Sequence, residues 1–280
     1  MKNLFFLILL QALLACSSTS SHNYEQTQKA SVTNISSNKG LTVTYIANEG
    51  VFLQKGNKKV LIDALHERYK PTYLYPNDQL RTQMEQGKAP FEGMNLVLVT
   101  HIHADHFGAS SCARQLKYNP NTVLIGSSQI RDSLQKTTYY NQIKNQLKVA
   151  THTEQITINQ IPVKILKIAH GWPSRHGWVK NFGYVVDMDG KKVLHIGDAQ
   201  LSESVFKQLA LQKENIDVAI LPMWFNISVE GKQLVEKYIR PKHIIATHIS
   251  VREEKLSIKR IKKYFPKAIA FTKSGQKSHF

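Results

Sequence analysis

The stretch His101-Ile102-His103-Ala104-Asp105-His106 places four side chains of the kinds that bind metal ions within six residues. Imidazole nitrogens and carboxylate oxygens together suit Zn²⁺, and also Mn²⁺ or Fe. Because these residues are so close in sequence, one tight turn could serve two adjacent cations. Twelve histidines among 280 residues give such a string a small chance of arising at random, but one motif is still a hypothesis.

The same kinds of residue follow four predicted strands. Each strand leads directly into histidine or, in one case through a glycine, into aspartate. The predicted strands and the residues that follow them are 95–100 with His101, 161–169 with His170, 192–196 with Asp198, and 243–247 with His248. Open α/β sheets place their sites at the carboxyl ends of strands, and unpaired polar groups are costly in a core. A bound metal ion would supply the missing partner.

The remaining pattern alternates strands and helices, which favours one α/β domain over residues 41–272. Apolar runs predict further strands at 41–46, 60–62, 182–187 and 217–221. Helical spacing predicts helices over 127–147, 201–212 and 230–240, and one more after residue 250. Residues 64–92 hold three prolines and are expected to be irregular, and 273–280 are expected to form a tail.

The N-terminus has the pattern of a secretory signal peptide over residues 1–15. Lys2 precedes an apolar run that is shorter than the roughly 20 residues of a spanning helix. The run ends in Leu13-Leu14-Ala15-Cys16, which resembles the lipobox of bacterial lipoproteins, whose cysteine is lipidated. The alternative is an ordinary signal with a chance cysteine. Residues 16–40, rich in Ser, Thr and Asn, predict a flexible tether. We therefore expect a lipid-anchored envelope protein, in the periplasm or outer membrane of a Gram-negative host.

The composition excludes several classes of protein. A hydrophobic content of 42% supplies a core, and two cysteines cannot make a disulfide-rich scaffold. Collagen-like, coiled-coil and polytopic membrane proteins are also excluded. The net charge is +17, and residues 252–277 carry nine Lys or Arg against two Glu. This excess fits a solvated helix face better than nucleic-acid binding, although anionic lipid headgroups are a further partner to consider.

The order of these motifs resembles the metallo-β-lactamase-fold hydrolase superfamily over roughly 41–272. The segments 181–198 and 217–222 are likewise characteristic of that superfamily. The resemblance implies an αββα sandwich, with a dinuclear metal site at one edge of its two sheets. Within the superfamily, the sequence is most similar to the branch of ascorbate-6-phosphate lactonase and N-acyl phosphatidylethanolamine phospholipase D, rather than to antibiotic-hydrolysing enzymes.

The resemblance also implies roles for particular residues. The first cation is assigned His101, His103 and His170, the second Asp105, His106 and His248, with Asp198 bridging both. Asp63 is expected to support the metal-binding loop by hydrogen bonds. His176 could replace His170 as a ligand, but His170 is favoured because it follows a strand directly. Four residues flank these loops and could contact substrate or merely pack at the rim, namely Trp172, Arg175, His176 and Trp224.

The implied function is a hydrolase that uses two divalent cations, zinc first and manganese or iron as alternatives. A hydroxide bridging the cations would attack an ester, lactone, amide or phosphodiester bond of a small-molecule substrate. Anionic molecules are among the substrates to consider. Asp105 would orient this hydroxide and carry its proton. The alternatives are a nuclease, phosphodiesterase or phospholipase acting on a polyanion, and a non-catalytic metal-binding envelope protein. The intact ligand set argues against the last of these.

Overall fold

A computed structural model describes residues 40–67 and 71–280, and within these ranges the strands form two seven-stranded sheets. The first sheet contains β1 (Thr42–Ala47), β2 (Gly50–Lys55), β3 (Lys58–Ile62), β4 (Leu96–Leu98), β5 (Val123–Ser127), β6 (Leu147–Ala150) and β14 (Lys277–His279). The second contains β7 (Glu154–Ile158), β8 (Ile161–Lys167), β9 (Phe182–Met188), β10 (Lys191–His195), β11 (Val218–Pro222), β12 (His243–Thr247) and β13 (Ile269–Ala270).

The strand directions bring several carboxyl ends to one edge of each sheet. The first sheet has the order β14-β1-β2-β3-β4-β5-β6 and is parallel from β3 to β6. The second has the order β13-β12-β11-β10-β9-β8-β7 and is parallel from β13 to β10. Two antiparallel steps through β9 give β8 the direction of β10. Strands β3 and β4 therefore end together, as do β8, β10 and β12.

Helices cover the outer face of each sheet. The first group comprises α1 (Asp78–Glu85), α2 (Ala109–Tyr118), α3 (Ser128–Leu134) and α4 (Tyr140–Ile143). The second comprises α6 (Glu203–Leu209), α7 (Met223–Asn226), α8 (Val229–Leu234) and α9 (Glu254–Tyr264). The short helix α5 (Pro173–His176) buries none of its residues. Short 3₁₀ turns at Lys144–Gln146 and Leu211–Lys213 and a π-helical turn at Val235–Ile239 complete the helical segments of the described residues.

Three buried clusters hold these layers together. The central cluster lies between the sheets and includes Tyr45, Ile62, Leu98, Tyr184, Ile220 and Phe271. A second cluster joins the first sheet to its helices through residues such as Leu116 and Ile130. A third joins the second sheet to its helices through residues such as Phe206 and Ile261. Burial of each such side chain contributes roughly 1.5–3 kcal/mol. The expected αββα sandwich is confirmed.

Three local expectations differ from the structure. The helix predicted over 127–147 is wrong, because α3 ends where the Thr137 hydroxyl donates to the Leu134 carbonyl at 2.7 Å. The irregular segment 64–92 contains α1, whose first turn is capped by the Asn77 side chain. The expected tail includes β14, which pairs antiparallel with β1.

The signal peptide, Cys16 and the tether predicted for residues 1–40 lie outside the described residues, except for Gly40. Among the described residues, every helix is too short or too polar to cross a bilayer. From Gly40 onward the described chain belongs to one compact unit.

Candidate metal centre

The loop after β4 turns sharply and presents its polar side chains to one place. The backbone N–H groups of His106 and Phe107 both donate to the carbonyl of His103, at 3.0 and 2.9 Å. The next residue, Gly108, donates to the Leu65 carbonyl at 2.8 Å, which ties the loop to the segment after β3. Helix α2 begins directly afterwards. The turn thus explains how His101, His103, Asp105 and His106 reach a common site.

Two loops of the second sheet meet this turn. His170 follows β8 and forms a short antiparallel bridge with Ala199, and Gly171 N–H donates to the Asp198 carbonyl at 2.7 Å. Gly197 has a φ of +55°, and a Cβ on it would lie only 2.6 Å from the Thr100 Cβ. Only glycine fits this contact between the two sheets. This close contact of Gly197 with Thr100 brings Asp198 beside the histidines of the first sheet.

His248 completes the site from the end of β12. Its φ is +57°, in the left-handed region, and its N–H donates to the Asn48 carbonyl at 3.2 Å. Asn48 and Asp63 also have positive φ values. A residue other than glycine in this region costs about 1–3 kcal/mol, and such strain often accompanies functional sites.

The two carboxylate oxygens of Asp198 face different sets of side chains. Oδ2 lies 3.4 Å from His170 Nε2 and 3.8 Å from His101 Nε2. Oδ1 lies 3.4 Å from both His106 Nε2 and His248 Nε2. We call His101, His103 and His170 the histidine group, and Asp105, His106 and His248 the mixed group. In each group the candidate ligand atoms lie within 4.8 Å of one another, those of the histidine group together with Asp198.

Several polar atoms at this place are buried with no hydrogen-bond partner among the described residues. They are His106 Nε2, His170 Nε2, His248 Nε2 and Asp198 Oδ1. A buried polar atom left unpaired costs about 1–3 kcal/mol, so four such atoms at one point call for a partner. Nitrogen and carboxylate oxygen donors match the preferences of Zn²⁺. The residues present therefore fit a metal centre.

Hydrogen bonds behind the site set the orientation of the rings. Asp63 accepts from Thr100 Oγ1 at 2.5 Å and from His106 Nδ1 at 2.8 Å. Because the Thr100 hydroxyl gives its proton to Asp63, it can only accept from His101 Nδ1, 3.0 Å away. His170 Nδ1 donates to the Gly171 carbonyl at 2.7 Å. In all three rings Nδ1 carries a hydrogen, which leaves Nε2 as the atom that can offer a lone pair to a metal ion.

His103 is oriented differently from the other histidines. Its Nδ1 lies 3.0 Å from His101 Nε2. This places Nδ1, rather than Nε2, beside the free lone pair of His101. The candidate ligand atom of His103 is therefore Nδ1.

Two members of the histidine group, His101 and His103, have lowered pKa values. Burial is the main cause for His101, whose pKa lies well below the usual range, and the neighbouring His106 adds to the effect. Burial and the neighbouring His170 lower the pKa of His103 to about 4. Without bound metal these two rings are neutral at pH 7, so their ring nitrogens are available to a cation without the loss of a proton.

The two histidines of the mixed group have raised pKa values. Burial opposes the charged form of His106, but Asp198, Asp105 and Asp63 together outweigh it and hold the pKa well above its usual range. Burial likewise opposes the charged form of His248, and Asp198 again outweighs it. The pKa of Asp198 lies well below its usual range because His248 and His106 overcome the effect of burial.

The sequence pattern missed two residues of the turn between β1 and β2. Asn48 Nδ2 donates to Asp105 Oδ2 at 3.2 Å and to its carbonyl at 3.3 Å. Glu49 is fully buried, and burial beside Asp198 raises its pKa to about 8. A polar Asn-Glu pair directly after an alternating strand was the available signal. His195 is buried, and its Nε2 donates to the Glu49 carbonyl at 3.0 Å.

A cleft of about 600 Å³ opens over both groups. The candidate substrate contacts Trp172, Arg175, His176 and Trp224 all line it, together with Asp105. The His176 ring lies 4.8 Å from that of His103 and 4.9 Å from that of His170, beside the histidine group rather than within a candidate ligand set. The structure therefore places His170, not His176, among the candidate ligands.

Comparisons with known proteins agree with this geometry. Residues 58–253 match the family described as "Beta-lactamase superfamily domain". A UPF0173 metal-dependent hydrolase of Pyrococcus furiosus is 25% identical over 219 residues, which cover 74% of this chain and 83% of the relative.

Two solved structures share the fold. Igni18, a metallo hydrolase of Ignicoccus hospitalis, has a TM-score of 0.59 at 18% identity, covering 86% of this chain and 98% of that one. The metallo-beta-lactamase fold protein YhfI of Bacillus subtilis has a TM-score of 0.58 at 17% identity, covering 86% of this chain and all of its own.

Proposed function

The chain belongs to the beta-lactamase superfamily domain family, and from this premise we propose that it is a metal-dependent hydrolase with two cation positions. The observation that carries the proposal is the carboxylate of Asp198, whose two oxygens face the histidine group and the mixed group respectively. A curated relative that is named a metal-dependent hydrolase adds support. The substrate is a small ester, lactone, amide or phosphodiester.

Each cation position has its own ligands in this proposal. Three imidazoles and one oxygen of Asp198 would hold the first cation, while Asp105, His106, His248 and the other Asp198 oxygen would hold the second. Zinc suits both sets, and manganese or iron are alternatives for the second, which is richer in oxygen. When bound, two such cations lower the pKa of a shared water and polarise the scissile carbonyl or phosphoryl oxygen.

Asp105 is placed to handle the proton of the attacking water. Its carboxylate lines the cleft, and Asn48 fixes Oδ2 with a hydrogen bond of 3.2 Å. The same oxygen lies 3.6 Å from His248 Nε2. From this position Oδ2 would accept the proton as the water attacks and return it to the leaving group, which is general acid–base catalysis.

Metal analysis combined with a substrate panel tests the proposal. Purified protein is analysed for bound transition metals, stripped with a chelator, and reloaded with zinc, manganese or iron. Each form is assayed on lactone, thioester, p-nitrophenyl ester, β-lactam and bis-p-nitrophenyl phosphate substrates. We expect about two ions per chain, and activity on one class that the chelator removes and metal restores.

The outcome also separates the alternative functions. Activity confined to the phosphodiester, with steep loss of binding as salt rises, would favour a nuclease or phospholipase acting on a polyanion. Two bound ions without turnover of any substrate would favour a non-catalytic metal-binding protein. Protein that holds no transition metal and is unaffected by chelators would refute both cation positions.

A further inference from the structure

One wall of the cleft is apolar and lies on the side of the mixed group. Trp172, Met223, Trp224 and Ile227 line this wall. The Trp224 ring lies 5.2 Å from the ring of His248. It would be unusual for such an apolar surface beside a candidate ligand to contact only water. An exposed aromatic side chain does not gain the free energy that burial would give. We call these four residues the indole wall.

Trp224 is held rigidly in the indole wall. Its Nε1 donates to the Ala199 carbonyl at 2.9 Å, one residue after Asp198. The helix that carries it, α7, is braced by Asn226, whose side chain donates to the carbonyls of Leu221 and Pro222. The ring orientation is therefore set by the same loop that positions the candidate metal ligands.

Trp172 completes the wall at a cost in conformational energy. Its φ is +52°, in the left-handed region, which costs about 1–3 kcal/mol for a residue with a side chain. Its side chain is still 54% exposed, and its ring lies 4.9 Å from that of Trp224 at an angle of 70°. Strain combined with exposure is not explained by packing of the protein's own core. It is explained if the indole contacts a ligand in the cleft.

We propose that the indole wall binds an apolar group of the substrate, an aryl ring or an alkyl chain attached to the scissile carbonyl or phosphoryl centre. This inference rests on the proposed function, since it names the substrate class of the same site. The apolar group would lie along Trp172 and Trp224, over the mixed group. Arg175 and His176, which also line the cleft, are polar and would contact the rest of the substrate.

A pair of phosphonates tests binding without any turnover. Octylphosphonate and methylphosphonate share one headgroup and differ only in the alkyl chain, and titration calorimetry on the metal-loaded protein measures the affinity of both. We expect octylphosphonate to bind more tightly, and Trp172→Ala to weaken its binding about tenfold while methylphosphonate is unaffected. The matched control is Tyr118→Ala, because Tyr118 is an aromatic residue that is 50% exposed and does not line the cleft.

Hydrolysis of p-nitrophenyl octanoate and acetate gives a second readout. The expected result is a preference for octanoate that Trp172→Ala lowers about tenfold in kcat/KM and Tyr118→Ala leaves unchanged. Equal loss on both esters, or equal effects of both variants, would overturn the indole wall as a substrate contact. If no substrate of the whole panel is hydrolysed but octylphosphonate binding depends on Trp172, the inference stands and the proposed hydrolase function fails.

Discussion

The histidine group and the mixed group sit on either side of Asp198 but differ in charge and in support. The histidine group offers three imidazoles, two of which have lowered pKa values. The mixed group contains the carboxylate of Asp105 and two imidazoles with raised pKa values. Behind it, the buried carboxylate of Asp63 accepts from His106 at 2.8 Å, whereas His101 Nδ1 donates to the neutral hydroxyl of Thr100. Two chemically different cation positions can therefore share one bridging residue.

Removal of the shared residue should have the largest effect. Asp198→Ala takes an oxygen from both groups, so we expect loss of both ions and of hydrolysis, with the fold kept. Metal analysis and the substrate panel measure the change, and circular dichroism checks the fold. Asp132→Ala is the control, because that carboxylate pairs only with the adjacent Arg131 among the described residues. Full turnover by the Asp198 variant would show that the groups do not act through a common carboxylate.

Single histidine variants should separate the two groups. Both His103→Ala and His106→Ala are expected to bind fewer ions and to lose hydrolysis. Only His106→Ala also removes a hydrogen bond to the buried carboxylate of Asp63, which should cost about 1.5–3 kcal/mol of unfolding free energy in metal-free protein. Urea unfolding of both metal-free variants measures the difference. Equal free energies of unfolding for the two metal-free variants would contradict the stabilising role of the His106–Asp63 hydrogen bond.

Substitutions of residues that hydrogen-bond to the candidate ligands should have effects of intermediate size on metal affinity. Asp63→Asn weakens the acceptor for His106 and should lower the metal affinity of the mixed group by about 10–100-fold. Thr100→Val is the matched change for the histidine group, because Thr100 Oγ1 contacts His101, and a smaller loss is expected from an uncharged partner. Competition with a chromogenic chelator measures both affinities. A larger loss from Thr100→Val would reverse the comparison.

The smallest effect is the pH response of metal-free protein. At pH 7 the rings of His101 and His103 should be neutral and that of His106 charged, which histidine NMR titration detects. The lowered pKa values predict that stability falls as the pH drops from about 6.5 toward 4. The raised pKa values predict that stability also falls as the pH rises through the folded-state pKa values of His106 and His248. A charged His103 at pH 7 would break this contrast.

Much of this arrangement was predictable because the ligand-type residues follow apolar strands. The predicted strand before Asp198 coincides closely with β10, and the one before His248 matches β12. The structure brings all the candidate ligands together, and their role in metal binding stays a prediction. Strand β2 was missed because its buried run Gly50–Leu53 lacks polar alternation.

Other features depend on contacts between distant segments, which a single sequence does not reveal. Glu49 lies in the site only because the β1–β2 turn packs under the loop of Asp198. The contact between the Trp172 and Trp224 rings joins two segments that are 52 positions apart, so no local periodicity of the sequence predicts it. The break of the predicted helix at Thr137 came from a side-chain hydrogen bond that competes with the helical ladder.

The tight approach of Gly197 to Thr100 has a consequence for how the protein matures. Neither sheet holds a complete ligand set by itself: one contributes the loop after β4, and the other contributes the residues after β8, β10 and β12. Ions bound by these loops would link the two sheets to each other. Cation binding would then be the last step of folding, after the two sheets have packed against each other. This step would complete the mature protein.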